Sequence, residues 1–155
     1  MTPRAQFEKF LAKYEPAIVA QARAAVRRMR TLVPGSIELV YDNYNALVIG
    51  FGPNDKPSLA VFSLVFFPRY VTLCFLQGAA LPNPAGRPKG SGNVVRSVRL
   101  ETPRTLHDPE VLSLIRLALN RAKLPIPPRQ KRAMIIKSIS KKQRPRRPPS
   151  SSSRK

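Results

Sequence analysis

The chain has 155 residues, 28 Lys or Arg against 8 Asp or Glu, a formal net charge of +20, and a hydrophobic fraction of 43 %. That apolar content suffices for one core, so a single domain of about 120 to 130 residues is expected, and the charge makes phosphate-rich partners the default electrostatic expectation. The single cysteine, Cys74, excludes an intrachain disulfide and any paired-cysteine site, which suits a reducing cytoplasm.

Thr2 followed by Pro3 reads as a helix start, a hydroxyl cap with proline in the first turn, and Phe7, Phe10, Leu11 and Tyr14 follow at helical spacing. Glu15-Pro16 ends that helix and opens a second. Its apolar stripe is Ile18, Ala22, Ala25, Val26, Met29, Leu32 and Val33, and Pro34-Gly35 stops it. Arg23, Arg27 and Arg30 share the opposite face, with Arg28 at its margin, and read as a solvated polar face.

From Ile37 the pattern is that of strands. Ile37 to Tyr41 and Ala46 to Phe51 flank the turn-rich tetrad Asp42-Asn43-Tyr44-Asn45. Leu59 to Phe67 is apolar at both alternating sets of positions and predicts a central strand covered on both faces. Pro68-Arg69 turns it into Tyr70 to Leu76. With Pro68, Arg69 and Gly78 interrupting Leu59 to Leu81, a strand pair explains this stretch better than a membrane span of about 20 residues. Gln77 to Asn93 is a glycine-rich loop and Val94 to Leu100 a fifth strand. Asp108 caps a final helix, Glu110 favours its positive end, and Val111, Leu114, Ile115, Leu117 and Ala118 face the core. The order predicts an α+β fold: an antiparallel sheet of about five strands, with two N-terminal helices and one C-terminal helix packed on it.

Pro125, Pro127 and Pro128 close the expected body, residues 1–128. Residues 129–155 form a basic Pro/Ser-rich tail with eleven Lys or Arg and no acid. Within it, 133–139 carries an apolar patch able to dock, and 140–155 is expected to be disordered for want of apolar content. MTPRAQFEKFLAKYE has no continuous apolar run, so no secretory leader is expected and the protein is read as soluble and cytoplasmic.

The stretch LAVFSLVFFPRYVTLCFLQGAALPNPAGRPKGSGNVVRSVRLETPRTL, with Gly78, Leu81, Pro84, Gly86, Gly90 and Gly92 followed by Arg96, Val98, Arg99 and Leu100, resembles the YdhG-like family of small bacterial domains of unknown function. PGSIELVYDNYNAL upstream is similar to that family's entry into its first strands, and the resemblance covers roughly residues 7–122. It implies an α+β fold described as frataxin-like, one branch of which is associated with iron delivery. Iron of that kind needs carboxylate or imidazole ligands. This chain has only Glu8 and Glu15 in its first two helical segments, arginines instead of acids from Pro16 to Ile37, and Asn83 where the family often carries Asp. No metal and no cofactor are therefore expected, and iron binding and delivery stand as the alternative to the reading below.

No catalytic constellation is visible. His107, the only histidine, sits beside the cap of the last helix, and Cys74 lies mid-strand as a buried structural thiol. The loop carrying Gly86, Arg87, Lys89, Gly90 and Gly92 is a candidate anion-binding loop, since its glycines free backbone N–H groups, although it lacks P-loop spacing. Its GRP also resembles an AT-hook core, but the family resemblance accounts for the glycines as a turn. A small-ligand pocket between sheet and helices is a further reading for which no polar anchor is evident. The main candidates are Arg129, Lys131, Arg132, Lys137, Lys141, Lys142, Arg144, Arg146 and Arg147. Spaced along an extended tail, they would neutralise phosphates of nucleic acid or another polyanion by counterion release, without sequence preference. The bland counterpart is a solubilising tail with no dedicated partner.

Overall fold

The computed structural model describes residues 1–78, 81 and 95–149. Helix α1 (Pro3–Leu11) starts where the Thr2 hydroxyl accepts the Ala5 N–H at 3.1 Å. Proline recurs at the first turn of α2 (Pro16–Leu32), and both helices turn one apolar face inward: Phe7, Phe10 and Leu11, then Ile18, Ala22, Ala25, Val26 and Met29, with Tyr14 buried in the link between them. The chain leaves α2 through Gly35 at φ +83°. A Cβ there would lie 2.0 Å from the Pro127 carbonyl oxygen, so both conformation and space require glycine.

The helices pack on one face of a six-stranded sheet ordered β5-β4-β3-β2-β1-β6. Strands β1 (Ile37–Asp42), β2 (Leu47–Gly52), β3 (Phe62–Phe66), β4 (Val71–Phe75) and β5 (Arg96–Arg99) pair antiparallel in succession, with the short turns 43–46 and 67–70 making hairpins of β1–β2 and β3–β4. Helix α3 (Pro109–Asn120) begins where Asp108 accepts the Glu110 N–H at 3.1 Å, and it buries Val111, Leu114, Ile115 and Ala118. α3 and the proline-rich segment after it carry the chain from β5 at one edge to β6 (Ala133–Ile139) at the other, where β6 lies parallel to β1. A crossover of this kind is what parallel pairing needs.

The core face of the sheet presents Val40, Leu47, Ile49, Phe51, Phe62, Leu64, Phe66, Val71, Leu73 and Phe75. Burial of each such side chain contributes about 1.5–3 kcal/mol. Tyr14 ties the helices to the strands: its hydroxyl donates to the Phe66 carbonyl at 2.6 Å and accepts the Leu47 N–H at 3.0 Å, and burial pushes its pKa up.

Three expectations change. The expected strand from Leu59 begins with a 3₁₀ turn, Pro57–Leu59, and β3 starts only at Phe62. β3 is central, with Phe62, Leu64 and Phe66 fully buried, but Val65 on its second face is only half covered. Cys74 is half-buried rather than enclosed, and desolvation raises its pKa against a hydrogen bond with Ser63, which keeps it a thiol.

The largest change is at the body's end. Residues 133–139, the patch expected to be able to dock, form a sixth strand, so the folded sheet extends past Pro128. Met134 and Ile136 pack against the core, and the backbone edge of β1 gains a ladder it would otherwise lack. Of residues 140–155, expected to be disordered, 140–149 lie against the β1–β2 turn and 150–155 are outside the described residues. Ser140 donates to the Asp42 carbonyl at 2.9 Å and the Arg144 N–H to the Tyr44 carbonyl at 2.8 Å. Fixed polar contacts supply the order that apolar content does not. No helix among the described residues is long and apolar enough to cross a membrane.

Candidate polyanion interface

Strand β1 reads Ile-Glu-Leu-Val-Tyr-Asp, and period-two alternation puts Glu38, Val40 and Asp42 on the core side. Two fully buried carboxylates on that side demand cations, because an isolated buried charge is costly. The C-terminal segment brings an arginine to each end of β6, and the helical layer adds Lys13 and Arg30.

At the Asp42 end, Arg146 donates to Asp42 Oδ1 at 2.9 Å, with the Arg146 side chain 2 % exposed and that of Asp42 0 %. Arg146 also donates to the carbonyls of Asn43 and Tyr44, although its buried Nε has no partner. Lys13 reaches Asp42 Oδ2 at 2.7 Å. Burial pushes the Asp42 carboxyl up, but hydrogen bonds from Lys13, Gln143 and Arg146, with the Lys13 charge, more than offset it and hold the pKa below the usual value. Arg147 donates to the Lys13 carbonyl at 3.2 Å and lies 3.7 Å from Glu15.

At the Glu38 end, Arg30 of α2 donates from Nε and a terminal nitrogen to the two Glu38 oxygens at 2.7 and 2.9 Å. Arg132, just before β6, stands 3.8 Å from the same carboxylate. Gln130 fastens the approach by donating to the carbonyls of Gly35 and Pro53 at 2.9 and 3.0 Å.

The nine tail candidates therefore divide. Arg146 is corrected from a polyanion contact to a buried structural cation, since its charge is already spent on Asp42. Arg147 and Arg132 face carboxylates but stay about half exposed, at 52 % each. Lys137 donates to the Asp55 carbonyl at 3.1 Å from an exposed position. Arg129, Lys131, Lys141 and Lys142 are exposed, with no hydrogen bond or ion pair among the described residues. Arg144 extends over the Tyr44 ring, 5.8 Å from its centroid, and Tyr44 is itself 49 % exposed.

No aromatic residue follows Phe75 in the chain, so sequence alone places none beside the tail. The fold brings one there by laying residues 140–149 on the β1–β2 turn. Tyr44, Phe67 and Arg144 line a shared open groove there of about 960 Å³. The candidate loop Gly86, Arg87, Lys89, Gly90 and Gly92 lies outside the described residues. His107 is exposed at the end of the 3₁₀ turn Pro103–His107, and no group of three or more His, Cys, Asp or Glu among the described residues could hold a metal ion.

Fold and site together define a class: an α+β domain whose last strand is charge-locked onto the sheet and flanked by exposed cations. Comparison with family models, curated proteins and solved structures gives no match.

Proposed function

We propose that this protein is a non-enzymatic YdhG-like domain that binds nucleic acid, or a polyanion of similar charge density, through the cations flanking β6, without sequence preference. The observation that carries this reading is the surplus of exposed charge, without partners among the described residues, at Arg129, Lys131, Lys141 and Lys142 on a segment that is otherwise fastened down. Docking matters energetically, because fixed cations lose less freedom on binding than cations on a free chain. Arg144 and the exposed Tyr44 add a surface on which a base can stack beside the phosphate contacts. The alternative, iron binding and delivery, draws no support from the acids. Glu38 and Asp42 are engaged by arginine and lysine, and the others do not cluster.

Fluorescence anisotropy with DNA and RNA oligonucleotides of unrelated sequence tests the proposal. The expected result is sequence-independent binding at about 50 mM salt that weakens by about 10²-fold by about 200 mM, as about four phosphate contacts require. Absence of binding at low salt would sink it, as would strong preference for one sequence. Saturable ferrous-iron binding by calorimetry would move the reading to the alternative.

A further inference from the structure

Four arginines converge on a cavity of about 410 Å³ between α1, α2 and β6: Arg4, and from successive turns of α2, Arg23, Arg27 and Arg30. Phe7, Val26 and Met134 contribute apolar lining, and Glu8 is the carboxylate in the wall. An adjoining hollow continues past Arg4 and Arg30 to Glu38 and Arg132. Like charges at positions i, i+4 and i+7 repel one another along a helix, yet no acid occurs on α2 to offset them.

The available carboxylates are already taken. Glu8 pairs with Arg23, and both Glu38 oxygens accept from Arg30. Five guanidinium groups face two carboxylates, a formal surplus of three positive charges, and the side chains of Arg4 and Arg27 have no hydrogen bond or ion pair among the described residues. The volume lies within the range of about 300–1,000 Å³ typical of small-ligand sites.

We infer that this cavity is a phosphate site, in which Arg4 and Arg27 grip a phosphate or pyrophosphate group while Arg30, oriented by Glu38, and Arg132 supply supporting charge. The planar guanidinium fork matches phosphate oxygens two at a time. The phosphate belongs either to a free small phosphorylated molecule or to a nucleic-acid backbone. The site uses none of Arg129, Lys131, Lys141 or Lys142, so it stands or falls separately from the interface around them.

The test titrates the full chain with pyrophosphate by isothermal titration calorimetry at low salt, beside R4A/R27A, the single variant R27Q, and K141A/K142A. Both arginines are exposed and their guanidinium groups hold no fold-stabilising pair among the described residues, and thermal unfolding verifies that each variant folds. Saturable one-site binding is expected, weakened about tenfold or more in R4A/R27A, less in R27Q, and unchanged in K141A/K142A. No saturable heat in the native chain, or equal affinity in R4A/R27A, overturns the assignment. A short oligonucleotide added to K141A/K142A then separates the sources. Displacement of pyrophosphate assigns the site to backbone phosphate, and retention assigns it to a free phosphorylated molecule.

Discussion

Glu38 and Asp42 sit four residues apart on the same side of β1, both fully buried, and the C-terminal segment brings an arginine to each, yet the two ends of β6 do different work. At Asp42 the pairing is closed: Arg146 and Lys13 take one oxygen each and Arg146 itself is buried. At Glu38 the pairing is open. Arg30 satisfies the carboxylate, and Arg132, Arg4 and Arg27 remain as surplus charge around a cavity. The contrast shows that a basic segment cannot be valued by counting its charges. A cation that fastens the fold is unavailable to a partner, and a cation near a saturated carboxylate is available.

The strongest way to break this comparison is to remove both ends at once. Ending the chain at Pro128 strips Arg132 and Arg146 from their carboxylates and uncovers the β1 edge. It should cost more than about 5 kcal/mol in urea unfolding, since one broken buried pair costs about 3–5 kcal/mol. A truncated domain of native stability would return the tail to the status of an appendage. Next in size, Arg146→Met should destabilise by about 3 kcal/mol, with Lys13 still holding one oxygen, and adding Asp42→Asn should recover part of that loss. Arg30→Met should cost about 2 kcal/mol, because Arg132 stands close enough to take over part of the role. Equal losses for Arg146→Met and Arg30→Met would erase the distinction between closed and open ends.

Acid probes the closed end. Asp42 has a folded pKa below its unfolded value, so its contribution is full above the usual carboxylate pKa and is lost as pH falls through the depressed folded value. The native chain should therefore lose stability below about pH 4, and Asp42→Asn should lose less of its own stability over the same range. Unfolding midpoints taken across that window check this. The smallest expected effect lies away from both ends: Asp108→Ala removes the α3 cap and should cost about 1 kcal/mol.

Much of the scaffold was legible because local rules governed it. Thr2, Pro3 and Asp108 mark helix starts by their own chemistry, and Pro68-Arg69 and the Asn43-Tyr44-Asn45 turn force antiparallel neighbours. Strand β6 was legible as an apolar patch but not as a parallel partner of β1, because that pairing joins residues about a hundred positions apart. The fixed position of residues 140–149 was hidden for the same reason. Nothing in RPRRPP says that one arginine will be buried. The usable signal lay elsewhere, in the two acids that alternation turns toward the core from β1, which announce a demand for cations without naming the donors. The arginine cavity was hidden because Arg23, Arg27 and Arg30 share a helix face that looks solvated until Arg4 and Met134 close around it.

The division of the basic segment into spent and available cations is tested most directly by the salt dependence of oligonucleotide affinity. The native chain, K141A/K142A and Arg146→Met are compared under conditions in which all three are folded. Each lost phosphate contact should flatten the slope of log affinity against log salt by about 0.9. The predicted result is a flatter slope for K141A/K142A and an unchanged slope for Arg146→Met. An unchanged slope for K141A/K142A, or a flattened one for Arg146→Met, would contradict it.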